Sequence, residues 1–162
     1  MTKSLDLGCG PNPKNPYNAD EIYGVDIRAD LDKRIHQADL CIEPIPFESN
    51  MFDCVTAFDF IEHIPRIIYA PHRRNAFIEL MTEIYRVLKV GGVFLSYTPA
   101  FPHPSAFQDP THVNIITDRT FDVYFCKPIR YASVYGFTGA FEMAKQSWQG
   151  EHLLTQIIKV PV

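Results

Sequence analysis

Residues 4–14 read SLDLGCGPNPK, and the fold of the whole chain turns on how this stretch is taken. Ser4 to Leu7 is a short apolar run closed by Gly8-Cys9-Gly10, the pattern of a strand that ends in a sharp turn. Two glycines there let the backbone turn and come close to a ligand. Thirteen residues, Pro11 to Tyr23, separate the turn from the core of the next apolar run, and three of them are proline. An interior proline costs a helix about 3 kcal/mol. The spacing therefore predicts a first helix that is missing or reduced to one turn. Loop amides, rather than a helix dipole, must then meet any anionic ligand group.

Further strands are expected at Glu21–Ile27, Arg34–Ala38, Phe52–Phe58 and Gly92–Tyr97, each a short apolar run bounded by turn residues. Between the last two, Phe77, Leu80, Met81, Ile84, Tyr85 and Leu88 recur at helical spacing, giving a helix over Arg73–Lys89 stopped by Gly91 and Gly92. A proline-rich stretch runs from Tyr97 to about Asn114, and a short helix is expected near Asp118–Phe125. The end reads as a hairpin, Ala140–Trp148 and His152–Val160 about Gln149-Gly150-Glu151. Strands alternating with connections predict an α/β fold: a mostly parallel, seven-stranded sheet ending in an antiparallel hairpin. One domain spans residues 1–162. Ligands of such sheets bind beyond the carboxyl ends of the strands.

Composition narrows the function. Of 162 residues 46% are hydrophobic, enough for an ordinary core, and the net charge of −4 is interspersed along the chain. There is no basic footprint for nucleic acid and no polybasic membrane patch. No apolar run approaches the ~18 residues that span a bilayer, and Met1-Thr2-Lys3-Ser4 runs directly into a strand with no leader pattern. Cys9, Cys41, Cys54 and Cys126 lack CxxC spacing, which fits a reduced, cytoplasmic protein without a cysteine zinc site.

Strand ends carry the informative chemistry. Asp26 closes the second strand, and a carboxylate there accepts hydrogen bonds from both hydroxyls of a ribose. Asp39 closes the third and can accept from an exocyclic amine such as that of adenine. Each alone also reads as a solvated loop residue; their order along the chain is what carries weight.

LDLGCGPNPK (Leu5–Lys14), GVDIR (Gly24–Arg28), ADL (Ala38–Leu40), FDCVTAFDFIEHI (Phe52–Ile64) and EIYRVLKVGGVFLSYTP (Glu83–Pro99) resemble, in order, the motifs of class I S-adenosylmethionine-dependent methyltransferases. The resemblance implies a Rossmann-like fold and S-adenosylmethionine as cofactor. By position it puts Gly8, Cys9 and Gly10 under the methionine part and Asp6 near its amino group. Asp26, with Ile27, would take the ribose, and Asp39 and Leu40 the adenine. Phe58 and Asp59 would border the sulfonium, with His63 in the next turn. The chain departs from the family in lacking the third glycine, where Pro11-Asn12-Pro13 stand, and in having no capping helices before its first strand. A thinly covered sheet face would result, and with it a possible homodimer.

Residues 98–125, at the cofactor end of the fifth strand, are the expected lid and acceptor segment. Methyl transfer needs a nucleophile aligned behind the methyl group, and an oxygen or nitrogen acceptor also needs a base. His112 and then His103 are the candidates, with Asp109 orienting one of them. The same residues also read as a capped turn about Pro110 with exposed histidines. A cation held by His103, Asp109 and His112 is not demanded by their spacing, and no metal is expected. A small molecule or glycan-like group is the expected acceptor. The rivals are a protein or nucleic-acid acceptor, for which Arg66, Arg73 and Arg74 are the local hint, and a non-catalytic nucleotide-binding module.

Overall fold

A computed structural model describes residues 1–162. Seven strands form one sheet: β1 Lys3–Leu7, β2 Glu21–Asp26, β3 Ile35–Gln37, β4 Phe52–Phe58, β5 Leu88–Pro99, β6 Phe141–Gln149 and β7 His152–Lys159. They lie in the order β3-β2-β1-β4-β5-β7-β6. The first five are parallel, while β7 runs antiparallel between β5 and β6. The expected α/β architecture with its closing hairpin is present. Strand order reverses between β1 and β4, so their carboxyl ends open a crevice at the switch point.

Pleating divides the sheet into two unlike faces. One face carries Leu5, Leu7, Val25, Val55, Ala57, Phe94, Leu153 and Ile157, all buried. Against it packs helix α1, Ala76–Val87, through Phe77, Leu80, Met81, Ile84 and Val87, together with Phe121 and Phe125 of the short helix α3, Thr120–Phe125. A further short helix, α2, spans Ser105–Gln108.

The other face, including Asp6, Thr56 and Phe58, has no helix over it. No α-helix joins β1 to β2, as the prolines predict, and none joins β2 to β3 or β3 to β4. The loop of residues 11–20 stands in for the missing helix. Its Lys14 Nζ lies 4.3 Å from the ring centroid of Phe58, and Gln156 Nε2 donates to Tyr17 Oη at 2.8 Å.

Element boundaries differ most at the exit of α1. The helix expected over Arg73–Lys89 spans Ala76–Val87, and the strand expected from Gly92 begins already at Leu88. Leu88 enters β5 directly, in register with Phe52 of β4. Sheet pairing thus claims residues that helical periodicity would have kept. The third strand is likewise shorter than expected, Ile35–Gln37 instead of Arg34–Ala38. Lys159, buried at the end of β7, donates to the Leu88 carbonyl at 2.7 Å and to Asn50 Oδ1 at 2.8 Å, which fixes this corner.

Candidate functional site

Gly8 and Gly10 both have left-handed backbones, with φ of 63° and 56°. Gly8 N and Cys9 N donate to the Val25 carbonyl at 2.8 and 3.2 Å, folding the turn over the end of β2. A side chain on Gly8 would collide with Phe60, whereas one on Gly10 would meet nothing within 4 Å. The turn is therefore closed beneath by Phe60 and open above Gly10, a cradle in which a ligand can lie on the backbone. The Cys9 thiol is pushed up to about 12 by burial first and by Asp6 and Asp26 next, so it serves as packing and not as a nucleophile.

Carboxylates set the shape of the crevice. Asp6, buried, accepts from Thr56 Oγ1 at 2.7 Å and from Lys14 N at 2.8 Å, tying the proline loop to the sheet. Burial holds its carboxyl above the usual range, opposed by those two hydrogen bonds. Asp26 accepts from Gly10 N at 2.9 Å through Oδ2 and from Arg28 N at 3.2 Å through Oδ1. Ile27 beside it is exposed. Asp39 accepts from Cys41 N at 3.0 Å in a tight turn, with Leu40 buried next to it. The sequence-predicted residues at the ends of β1, β2 and β3 thus lie at the carboxyl edge of adjacent strands. A glycine cradle followed by two carboxylates is a donor and acceptor set that fits a nucleoside with free ribose hydroxyls.

Phe58 lies under Lys14, and Asp59 comes next with a left-handed φ of 49°. Asp59 Oδ1 pairs with His152 Nε2 at 2.8 Å, and the His152 ring stacks on Tyr97 at 4.5 Å. Ninety-three residues separate this pair, and no sequence signal joins them.

Beyond Asp59 the chain makes a short turn through Glu62 and His63. The strap of residues 113–116 is tied onto it: Val113 N and Asn114 N donate to the Glu62 carbonyl at 2.9 and 3.0 Å. Arg66 holds the strap through Asn114 Oδ1 and the Ile115 carbonyl. These bonds bring His112 beside His63, their ring centroids 4.9 Å apart. Asp109 stands 4.0 Å from His112 Nε2 and caps Thr111 through N and Oγ1 at 2.8 and 2.7 Å. Those bonds from Thr111 hold the Asp109 carboxyl below its ordinary range. His103 lies elsewhere, edge-on to Trp148 of β6 at 5.0 Å, in a cavity of about 390 Å³ also lined by Phe101, Pro102 and Asp118. The structure brings Asp109 and His112 together; His103 has Trp148 as its aromatic neighbour.

Glu62 is the residue that sequence reasoning passed over. It is buried, with Oε2 accepting from Thr98 Oγ1 at 2.7 Å and Oε1 without a hydrogen-bond partner in the protein. The Glu62-His63 pair is visible as a motif, but the burial that singles out the carboxylate is not.

The methyltransferase-domain family model matches residues 5–96. No curated protein matches the chain in sequence. Among solved structures, the YcgJ protein of Bacillus subtilis is 15% identical over 100% of this chain and 93% of its own, with a TM-score of 0.65. A SAM-dependent methyltransferase of Archaeoglobus fulgidus is 17% identical over 98% and 86%, with a TM-score of 0.61. A chain from a complex of the Haloferax volcanii methyltransferase activator Trm112 is 14% identical over 99% and 83%, with a TM-score of 0.63. At such identities the likeness to these structures is one of fold.

Proposed function

Because this chain belongs to the class I S-adenosylmethionine-dependent methyltransferases, we propose that it methylates a small, hydroxylated molecule or glycan-like group held over the ends of β4 and β5. The observation that carries this reading is the chemistry of the acceptor side. His63, Asp109 and His112 stand there with Glu62 buried beside them, a set of imidazoles and carboxylates of the kind that hydrogen-bonds hydroxyl groups. The basic residues that a nucleic-acid acceptor would need are largely spent within the protein. Arg66 is turned onto Asn114 and Ile115, and Arg74 onto Glu79 and the Ile42 carbonyl.

S-adenosylmethionine supplies a methyl group on a positively charged sulfur. The chain's own part is to hold and align. Asp26 accepts from the ribose hydroxyls while keeping Gly10 in place, and Asp39 with Leu40 receives the adenine. Gly8, Cys9 and Gly10 underlie the methionine part. Asp6 acts on its amino group through the loop that it anchors. Phe58, Asp59 and His63 border the reacting centre. His112, with Asp109 beyond its Nε2, is the group assigned to activating the acceptor hydroxyl, and the segment 98–125 that carries both shapes the acceptor site.

Calorimetric titration with S-adenosylhomocysteine tests the cofactor half. Micromolar binding is expected, with no binding of NAD and a loss of about tenfold to hundredfold on Asp26→Ala, as removal of charge-assisted hydrogen bonds predicts. Methyl-labelled cofactor offered with polyols and sugars, and separately with RNA and protein, tests the acceptor. Label is expected in the hydroxylated small molecules, reduced about a hundredfold by His112→Ala with cofactor affinity unchanged. Label found only in macromolecules overturns the acceptor assignment.

A further inference from the structure

From the geometry around Glu62 we infer that this acceptor site takes a divalent transition-metal cation, with Glu62, His63 and His112 as its protein ligands; the inference rests on the acceptor reading above. One ligand atom from each residue lies within 4.8 Å of the others. A cation bound tetrahedrally to nitrogen and oxygen at about 2.0–2.2 Å holds its ligand atoms roughly 3.3–3.6 Å apart, so side-chain movements of about an ångström close the site.

In Glu62 and His63 the other polar atom is hydrogen-bonded, which leaves one ligand atom free, and in His112 the other ring nitrogen faces a carboxylate. Glu62 Oε2 is taken by the Thr98 hydroxyl, so Oε1 is the unpartnered oxygen, and the residue is only 1% exposed. His112 directs Nε2 toward Asp109, and its Nδ1 is buried without a partner. His63 Nδ1 lies 3.3 Å from the Thr111 carbonyl, which accepts but cannot donate, and 3.1 Å from Thr111 Oγ1, which gives its own proton to Asp109 Oδ1 and so accepts here too. A proton on Nδ1 satisfies either contact and leaves Nε2 deprotonated. This is how outer groups fix the tautomer of metal-binding imidazoles. Thr98, Thr111 and Asp109 are accordingly positioning residues.

Charge points the same way. A buried carboxylate with an unpartnered oxygen is costly unless a proton or a cation meets it, and two imidazoles beside it are the neighbours that hold a cation. The charged groups that act on Glu62 are Asp59 and His63, with no lysine or arginine among them. Two imidazoles and a carboxylate suit borderline first-row cations and leave coordination positions open. An acceptor hydroxyl at an open position would be acidified, its proton passing to solvent water; its oxygen then forms a bond to the methyl carbon as the carbon–sulfur bond breaks, the bonding pair returning to sulfur and neutral S-adenosylhomocysteine leaving. His112 then activates the acceptor as a ligand and not by taking up the proton itself.

The test is calorimetric titration of chelator-treated protein with manganese(II) and with zinc(II). One cation per chain is expected from at least one of them. His63→Ala and the near-isosteric Glu62→Gln should each weaken it at least tenfold, and Thr98→Val about tenfold. The exposed His72→Ala should leave it unchanged. Melting curves and S-adenosylhomocysteine titration of the same variants establish that each is folded. Absence of binding by either cation overturns the inference, as does an affinity that neither His63→Ala nor Glu62→Gln changes. The titration needs no acceptor. A bound cation with label only in macromolecules therefore fails the acceptor reading alone, and hydroxyl methylation that survives chelation fails the cation alone.

Discussion

Gly8→Ala is expected to abolish S-adenosylhomocysteine binding and to destabilise the fold by roughly 2–5 kcal/mol. Two costs add at this residue. Its φ of 63° belongs to the left-handed region, which a Cβ disfavours. The new carbon would also lie 2.2 Å from Phe60 Cδ2 and 2.7 Å from Cγ, so an aromatic ring must move out of the packing beneath the turn. Gly10→Ala separates the two terms. It shares the left-handed backbone at φ 56° but meets no atom within 4 Å, and it should cost only the conformational part. The double substitution Gly8→Ala, Phe60→Ala removes the collision but not the strain. Denaturant unfolding of the three variants, set beside their ligand titrations, checks the partition.

Asp6→Ala is the second large effect, about 2–5 kcal/mol, because it strands the Lys14 amide and leaves the buried Thr56 hydroxyl only a long 3.5 Å contact with the Leu5 carbonyl. Loosening Lys14 frees the proline loop, so cofactor affinity should fall with stability. Asp6→Asn should recover most of both, its amide oxygen accepting from Lys14 N and its NH2 group donating to Thr56. The pair of variants also reads out a pH effect. Burial raises the folded carboxyl above its unfolded value, so the folded chain holds that proton more tightly. The stabilisation linked to it is full below the ordinary carboxylate range and is lost as pH rises through the folded value. The stability of Asp6→Asn relative to the native chain should therefore improve between acid and neutral pH. A difference that stays flat or moves the other way would sink this account of Asp6.

Much of this was legible because local chemistry decided it. Three prolines between Pro11 and Pro16 exclude a helix whatever lies around them, and none is there. The glycines at 8 and 10 and the carboxylates at 26 and 39 are written at strand ends, where a parallel sheet places its ligands. The exit of α1 was less legible, because Gly91-Gly92 punctuate the sequence while the pairing of Leu88 with Phe52 decides the structure. The acceptor side was partly hidden. Glu62 differs from any surface glutamate only in being buried, and its meeting with His112 depends on a strap some fifty residues along the chain, held by backbone bonds that carry no side-chain signature. Asp59 and His152, far apart in sequence, likewise meet only because β7 lies two strands from β4.

The two faces of the sheet also age differently under mutation. On the face that packs against α1 and α3, a changed side chain is felt by its interlocked neighbours, and drift there is slow and concerted. On the face covered by the loop of residues 11–20, the loop is held by single contacts, such as Tyr17 with Gln156 and Lys14 with Phe58. Away from Asp6 and its partners, substitutions there can accumulate one at a time. A lineage of such chains can change what it recognises while its core stands still.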